Sequence, residues 1–223
     1  MQEPRFVQNL FGAIARRYDL ANHLLSGGLD FFWRRQAARI VHAWTPKRIL
    51  DLATGSGDVA LTLRNHCPEA QIVGADFCVP MLHEARRKGS GPVAAADGLA
   101  LPFATGIFDV VTVAFGLRNM ASWPGALSEM HRVLRPGGHV LILDFSVPPP
   151  PLRWLYRPYL HRVLPWIAGV LTGERGAYEY LGESIEKFPS GQAMCQLLTS
   201  AGFTEPRAER LSGGIVSLYT GKV

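Results

Sequence analysis

The residues best suited to chemistry lie in a glycine-rich loop that follows an apolar segment. The loop and its surroundings read Asp51-Leu52-Ala53-Thr54-Gly55-Ser56-Gly57-Asp58-Val59-Ala60. Its glycines allow a tight turn and let a ligand approach the main chain closely. Asp76 ends the next predicted strand about 20 residues later, where a carboxylate accepts hydrogen bonds from both hydroxyls of an adenosine ribose. The spacing therefore predicts a site for an adenosine-containing cofactor.

The charges around the loop indicate which cofactor this is. Residues Gly55 to Ala60 also match the G-x-G-x-x-A pattern of dinucleotide-binding proteins, so NAD is an alternative. Asp58 opposes NAD, because it places negative charge at a helix start where a pyrophosphate needs positive potential. Asp97-Gly98 follows the third predicted strand and could hold an adenine amino group. A cationic adenosine cofactor without phosphate fits better, and this description suits S-adenosyl-L-methionine.

The elements that must position these residues follow an alternating pattern. Apolar segments alternate with helical patterns from Arg48 onward, which is typical of a parallel sheet covered by helices. The predicted strands are Arg48–Ala53, Gln71–Asp76, Pro92–Ala96, Phe108–Ala114 and Gly138–Phe145, with further strand-like segments near Phe203 and at Ile215–Thr220. The predicted helices are Asp58–Asn65, Val79–Arg87, Trp123–Leu134 and Gln192–Ala201. Residues Arg135 to Gly138 are predicted as a turn, because proline and glycine both stop helices.

Two regions fall outside this alternation and predict helical additions to a single domain of residues 1–223. Residues 1–44 read as helices rich in aromatic and arginine side chains, and we expect them to form an N-terminal cap. Residues 148–188 contain no clear strand but many aromatic and basic residues. We expect no catalytic role for the tyrosines among them. Their apolar side chains, such as Trp154, Leu160 and Trp166, exceed what a solvent-facing connection needs. We interpret this second region as a lid over the substrate.

The composition excludes several classes of protein. Of the 223 residues, 48% are hydrophobic and 18% are charged, which excludes a disordered or fibrous chain. The three cysteines form no CxxC pair, and no His/Asp/Glu cluster has ligand spacing, so neither disulfides nor a metal site are expected. No segment reads as a signal peptide or a membrane span, so we expect a cytoplasmic protein. The net charge of +5 is too mild to predict nucleic-acid binding.

Four further motifs resemble, in order, those of the class I SAM-dependent methyltransferases, and more narrowly the menaquinone/ubiquinone biosynthesis C-methyltransferases. The first is the N-terminal segment Phe11 to Trp33, with Tyr18, Asp19, Asn22, Ser26 and Trp33 in register. The others are Phe115-Gly116-Leu117-Arg118-Asn119, the segment Arg132 to Gly138 leading into Leu143-Asp144-Phe145-Ser146, and Tyr178 to Ile185 with Pro189. The resemblance covers nearly the whole chain. It implies a Rossmann-like α/β fold with a mostly parallel seven-stranded sheet and helices on both faces.

The same resemblance implies a reaction, which is the SAM-dependent C-methylation of a reduced polyprenyl quinone precursor such as demethylmenaquinol. The alternatives are a benzoquinol of ubiquinone biosynthesis, another lipid-like phenol, or a non-catalytic SAM-binding subunit, which the intact motifs oppose. The residues expected to bind the cofactor are Asp51, Ala53, Gly55, Ser56, Gly57, Asp76, Phe77, Met81, Asp97, Gly98, Ala114 and Phe115. The residues expected to act in catalysis are Arg118, Asn119, Tyr18 and Asp19.

Carbon methylation of a quinol is an SN2 transfer from a sulfonium to a nucleophilic ring carbon. The ring must be reduced, because a quinone is electron-poor, and loss of a proton from the neighbouring hydroxyl pushes electron density onto that carbon. Arg118 and Asn119 follow the fourth predicted strand, at the crevice where ligands bind in open α/β sheets. Arg118 is expected to stabilise the phenolate or to orient a water that takes the proton. Tyr18 and Asp19 are expected on a helix that folds over the cofactor.

Three residues depart from the usual pattern of the family: Ala21 stands where Met is usual, Asp30 where His is usual and Asp144 where Glu is usual. The first two lie in the segment expected to close over the site, so they bear on the choice of quinone more than on the reaction class.

Basic and apolar side chains alternate in the predicted lid. Arg153, Arg157 and Arg162 lie among apolar residues, which is compatible with docking on an anionic membrane surface or with a solvated helix pair. Peripheral membrane contact and a homodimer are both left open, and the implied substrate partner is a polyprenyl quinol.

Overall fold

A seven-stranded sheet forms the centre of the computed structural model, which describes residues 23, 26–166, 169 and 175–223. The strands are β1 Arg48–Leu52, β2 Gln71–Asp76, β3 Val93–Ala95, β4 Phe108–Ala114, β5 Leu134–Phe145, β6 Thr204–Leu211 and β7 Val216–Lys222. Their order in the sheet is β3-β2-β1-β4-β5-β7-β6, and β7 runs antiparallel to both of its neighbours. The sheet is mostly parallel, which confirms the expected fold class.

Helices cover both faces of this sheet. They are α1 Leu29–Ala43, α2 Asp58–His66, α3 Val79–Arg87, α4 Trp123–Val133, α5 Leu152–Pro158, α6 Arg175–Lys187 and α7 Gln192–Ser200. Successive side chains of a strand point to opposite faces, so neighbouring residues of the central strands enter different cores. Leu141 of β5 packs in the same core as Trp33 of α1 and Leu63 of α2, whereas Ile142 packs with helices α4 and α7 on the other face.

The predicted boundaries agree closely with the observed elements where the signal is local. Strands β2 and β4 and helix α3 have the expected bounds. The predicted turn at residues 135–138 is wrong as a boundary, because β5 already begins at Leu134 and pairs there with Phe108. The register then shifts before His139 pairs with Val110, and Gly137 adopts a positive φ of 77° within the irregular segment. The proline and glycines therefore make an irregularity inside the strand instead of a turn before it.

The predicted lid packs on the carboxyl edge of the sheet. Within residues 148–188, most of the described part is helical: α5 continues into a π-helical segment, Tyr159–Val163, and α6 follows. Tyr156, Leu160, Leu164 and Ile185 form a small apolar core that also contacts Phe145 at the end of β5. Among the described residues, no helix is long and apolar enough to cross a membrane.

Candidate active site

The glycine loop is held from behind by Asp51, at the end of β1. Its carboxylate accepts hydrogen bonds from the Thr54 hydroxyl at 2.6 Å and from the Thr112 hydroxyl at 2.8 Å. Asp51 is buried, and this burial raises its pKa to about 6. Since both of its oxygens face into the protein and it lines neither of the cavities described below, the expected direct contact with a cofactor is not supported. Asp51 instead holds the loop.

Asp76 connects the glycine loop to the end of β2. One carboxylate oxygen accepts the Gly55 N–H at 2.8 Å, and the other accepts the Cys78 N–H at 2.8 Å. Burial raises the pKa of this carboxyl, and these backbone hydrogen bonds partly offset the effect. A carboxylate oxygen accepts more than one hydrogen bond, so both oxygens retain capacity for the hydroxyls of a ribose.

Two cavities meet at the carboxyl edge of the sheet. The smaller, of about 150 Å³, is lined by most of the residues expected to bind the cofactor: Ala53, Gly55, Asp76, Phe77, Met81, Asp97, Gly98, Ala114 and Phe115. The larger, of about 810 Å³, extends under the lid helices and includes Ser56 and Arg118 in its wall. The residues lining both are Ala53, Gly55, Ala114, Phe115 and Asn119. A ligand in the smaller cavity would therefore contact a ligand in the larger cavity at this junction.

The backbone at the junction is unusual. Ala53 and Phe115 follow β1 and β4 with positive φ angles of 53° and 57°, a region that non-glycine residues seldom adopt. Gly116 lies so close to Ala53 that an added Cβ would be 2.4 Å from the Ala53 Cβ. Strained residues of this kind are often found at ligand-binding sites. The junction lies where the strand order reverses direction, between β1 and β4, which is where open α/β sheets bind ligands.

Arg118 follows this junction in a 3₁₀ turn and is only 3% exposed. Its Nη1 donates to a carboxylate oxygen of Asp144 at 2.7 Å and to the carbonyl oxygen of Phe115. The guanidinium lies 5.3 Å from the centre of the Phe145 ring. Its Nε has no hydrogen-bond partner among the described residues. The arginine is therefore fixed in position with a donor to spare, and it lines the larger cavity.

The partner of Arg118 is the fully buried Asp144. Burial raises the pKa of this carboxyl, and the adjacent guanidinium opposes that rise. The carboxylate also accepts the backbone N–H groups of Phe145 and Arg118, at 2.9 Å and 3.3 Å. Asp144, which stands where Glu is usual in the family, is thus long enough to hold Arg118.

Two tyrosines from the lid complete this part of the cavity, and the sequence analysis gave them no role. The Tyr180 hydroxyl donates to Asn119 Oδ1 at 3.2 Å, and Tyr156 lies buried near Arg118. Burial raises the pKa of both phenols, to about 12 for Tyr180, although Arg118 opposes the rise. Both are therefore neutral hydrogen-bond donors at physiological pH. The sequence motif that indicates Tyr180 is the segment from Tyr178 to Ile185.

Besides Asp51, three expected site residues do not have the position that was predicted or lie outside the described residues. Gly57 lines neither cavity; its φ of 86° and close approach to Ser90, with an added Cβ 2.6 Å from the serine Cβ, give it a packing role. Tyr18 and Asp19 lie outside the described residues.

A polar cluster that the sequence does not predict lies beside the glycine loop. Arg34 of α1 donates from Nη1 to Asp30 at 2.8 Å and to Asp58 at 3.1 Å. Asp58 begins α2 and also pairs with Lys88 at 2.6 Å. Asp30, Arg34 and Asp58 all line the larger cavity. The cluster joins residues from three separate elements, so no local sequence signal identifies it.

Comparison with known proteins assigns this arrangement to a family. The sequence description of the ubiE/COQ5 methyltransferase family matches residues 1–222. The chain belongs to this family. It is 49% identical over 220 residues to the demethylmenaquinone methyltransferase of Thermus thermophilus, covering 95% of this chain and 99% of the relative. It is 37% identical over 223 residues to the ubiquinone/menaquinone biosynthesis C-methyltransferase of Dinoroseobacter shibae, covering 96% and 89%.

The fold of this family member is shared by solved structures. A SAM-dependent methyltransferase from Thermotoga maritima superposes with a TM-score of 0.70 at 18% identity, over 96% of this chain and 98% of that one. This likeness confirms the Rossmann-like fold. The chain is a methyltransferase whose methyl donor is S-adenosyl-L-methionine. The residues at the smaller cavity fit such a cofactor, because the Asp76 carboxylate suits a ribose. The described residues that line this cavity do not require a phosphate group on the ligand.

Proposed function

We propose that this methyltransferase transfers a methyl group to a ring carbon of a reduced polyprenyl quinone precursor, demethylmenaquinol. The observation that carries the proposal is the junction of the two cavities, where the smaller one, lined by Asp76, Asp97 and Gly98, opens into a large, mostly apolar one beside Arg118 and Asn119. The name of the Thermus thermophilus relative, nearly half identical over almost the whole chain, supports the same substrate.

The smaller cavity would hold the adenosine part of the cofactor. Asp76 would accept the ribose hydroxyls, and Asp97 with Gly98 would flank the adenine, while Phe77 and Met81 complete the wall. Bound S-adenosylmethionine supplies an electrophilic methyl group. The glycine loop and the backbone at Ala114 and Phe115 would orient that group toward the larger cavity, and burial there excludes water.

Arg118 would stabilise the negative charge that develops on the quinol oxygen. Its guanidinium needs no reorganisation, since Asp144 and the Phe115 carbonyl already hold it in the wall of the larger cavity. Asn119 would donate from its amide nitrogen to a quinol ring oxygen, since its Oδ1 already accepts the Tyr180 hydroxyl, which orients the amide. Neutral donors favour a phenolate without removing a proton themselves, so the proton would leave through water oriented by Arg118.

The polyprenyl tail would lie along the lid. Apolar side chains of the lid that line the larger cavity are Leu152, Leu155, Leu160, Val163, Leu164, Leu181 and Ile185. A buried prenyl chain stabilises its complex by roughly 25 cal/mol per Å² of apolar area removed from water. This proposal includes the expected role of residues 148–188, which would form a substrate lid on a single domain.

A benzoquinol of ubiquinone biosynthesis is the second candidate, because the Dinoroseobacter shibae relative is named for both quinones. The test is a methyl-transfer assay with equal concentrations of reduced demethylmenaquinone and the reduced benzoquinone precursor of equal tail length. Faster transfer to the naphthoquinol, at least tenfold in kcat/KM, is the expected result. Faster transfer to the benzoquinol would reverse the assignment, and transfer to neither would refute a quinol substrate.

We also propose peripheral contact with a membrane, where such a substrate resides. Trp154, Leu155 and Trp166 are 73%, 74% and 66% exposed, and exposed Arg157 and Arg162 lie among them. Large exposed apolar side chains next to arginines suit the interface of an anionic membrane. This surface, defined by Trp154, Leu155, Arg157, Arg162 and Trp166, is called the docking surface below.

A further inference from the structure

We propose that Arg34 binds the carboxylate at the methionine end of the cofactor, and that Asp30 and Asp58 hold it in place for this purpose. The inference rests on the proposed cofactor site and deepens it, since it identifies the group that recognises the amino-acid part of the ligand.

Arg34 lies at the right place in the cavity wall. Its side chain is 9% exposed, yet it lines the larger cavity together with Gly55 and Ser56 of the glycine loop. Gly55 also lines the smaller cavity, where Asp76 is expected to hold the ribose. A ligand with its adenosine in the smaller cavity would therefore extend past Gly55 toward Arg34 if it carries an amino-acid part.

The position of the guanidinium is fixed before any ligand binds. Nη1 donates to Asp30 and Asp58, and Asp30 in turn accepts the Ser26 hydroxyl at 2.8 Å and contacts His23 Nδ1 at 2.6 Å. These contacts leave Nε buried without a hydrogen-bond partner among the described residues. A buried N–H without a partner is costly, and most such groups in folded proteins are satisfied. The ion pairs with Asp30 and Asp58 therefore leave one donor of the guanidinium unsatisfied.

The charge of the cluster suits a zwitterion. Asp30 and Asp58 already compensate the charge of Arg34, so an incoming anion without a positive group of its own would add net negative charge beside these carboxylates. An α-amino acid brings its own ammonium group, which can lie toward the acidic side chains while its carboxylate binds Arg34.

The experiment measures binding instead of turnover, with two adenosine ligands that differ in the amino-acid part. S-adenosylhomocysteine carries it and 5′-methylthioadenosine lacks it. Titration calorimetry of both ligands is performed on the wild type, Arg34→Met, Arg34→Lys and Lys88→Met. Lys88→Met is the matched control, because it breaks a 2.6 Å ion pair to the same Asp58 from a residue that lines neither cavity.

The expected result is that Arg34→Met weakens S-adenosylhomocysteine binding about ten- to a hundredfold, as for a lost charged hydrogen bond, and changes 5′-methylthioadenosine binding less than threefold. Arg34→Lys, which keeps the charge but loses Nε, should weaken S-adenosylhomocysteine binding several-fold. Lys88→Met should alter neither ligand.

Equal losses for both ligands in Arg34→Met, or wild-type affinity for S-adenosylhomocysteine in Arg34→Lys, would overturn the inference. If Arg34→Met does not fold, judged by its circular dichroism melting curve, the Arg34→Lys comparison decides alone. Failure of the wild type to bind S-adenosylhomocysteine would instead refute the proposed cofactor site, and the inference with it.

Discussion

At the scale of single residues, Arg118 is the group whose removal should affect the reaction most selectively. We expect Arg118→Ala to lower kcat at least about a hundredfold, the usual cost of losing a donor to a developing oxyanion, while SAM affinity stays within a few-fold. Arg118→Lys should also be poor, because a lysine has only one nitrogen, and pairing it with Asp144 leaves no second nitrogen for the quinol oxygen.

The control for this substitution comes from its buried partner. Arg118→Ala leaves the fully buried Asp144 carboxylate without a countercharge, which would destabilise the protein. The double variant Arg118→Ala/Asp144→Asn should recover stability in urea unfolding but not activity. Recovery of both, or a loss of SAM affinity as large as the loss of rate, would contradict the catalytic assignment.

Asp51 should make the stability of the protein depend on pH. Burial raises its pKa to about 6 in the folded state, above the value near 3.9 of an unfolded chain. The folded protein therefore holds the proton more tightly, and the contribution of Asp51 to stability is present below about pH 4 and lost as pH rises through 6.

The expected size of this effect follows from the pKa difference of about 2 units, which corresponds to roughly 3 kcal/mol. The free energy of unfolding of the wild type should fall by about that amount relative to Asp51→Asn between pH 4 and pH 7. Urea unfolding of both proteins across this range measures the difference. Two parallel curves would show that Asp51 does not titrate as described.

At the scale of elements, the close approach of the ends of β1 and β4 gives a test of the junction. Gly116→Ala would place a Cβ 2.4 Å from that of Ala53, and we expect a loss of about 1–3 kcal/mol in the free energy of unfolding together with weaker SAM binding. Adding Ala53→Gly removes the clash and relieves the positive φ at that residue, so the double variant should recover.

The matched control is Gly176→Ala, at a helical position where an added Cβ meets no atom of the described residues within 4 Å. Unfolding by urea and calorimetry with S-adenosylhomocysteine give the two readouts. A Gly116→Ala variant as stable as Gly176→Ala, or a double variant that remains as weak as the single one, would show that the two strand ends do not limit each other.

The lid helices make a second prediction at this scale. Leu155 and Trp154 are neighbours on α5 with nearly equal exposure, but only Leu155 lines the larger cavity. With detergent-solubilised quinols, Leu155→Ser should raise KM for a long-tailed quinol by up to about tenfold and leave a tail-less quinol unchanged. Trp154→Ser should change neither. Equal effects of the two substitutions would show that the quinol tail does not bind along the lid.

The elements were predictable to the extent that their signals are local. Strand β4 follows from its mostly apolar, valine-rich sequence, and the bounds of α3 follow from a proline start and a basic end. The beginning of β5 was not predictable, because the pairing of Leu134 with Phe108 overrides the proline and glycine that follow it.

The site was likewise predictable only where its residues carry local sequence signals. The glycine loop, Asp76 and Arg118 carry short motifs, whereas the contact of Arg34 with Asp58 depends on how α1 packs against α2. The inward orientation of Asp51 depends on Thr112 of a different strand, 61 residues away in sequence. Trp166, expected to cover the substrate, is instead 66% exposed and lines neither cavity.

At the scale of the whole molecule, the docking surface predicts a selective affinity for anionic membranes. Co-sedimentation with vesicles of phosphatidylglycerol and phosphatidylcholine should retain the wild type, and Trp154→Ser/Trp166→Ser should weaken retention strongly because both indoles are exposed. Vesicles of phosphatidylcholine alone are the charge control. Activity on a tail-less quinol should be unchanged in the double variant, and equal sedimentation of both proteins would dismiss the surface as a membrane contact.

The place of β7 in the sheet has a consequence for how the protein is made. β7 pairs with β5 on one side and β6 on the other, so β6 reaches the sheet only through a strand that the ribosome makes after it. Until residues 216–222 leave the exit tunnel, β5 has an open edge although its core residues are apolar toward both faces. Such an edge readily pairs with other chains. We therefore expect the nascent protein to depend on chaperone protection until β7 is complete, and to aggregate when translation stalls shortly before it.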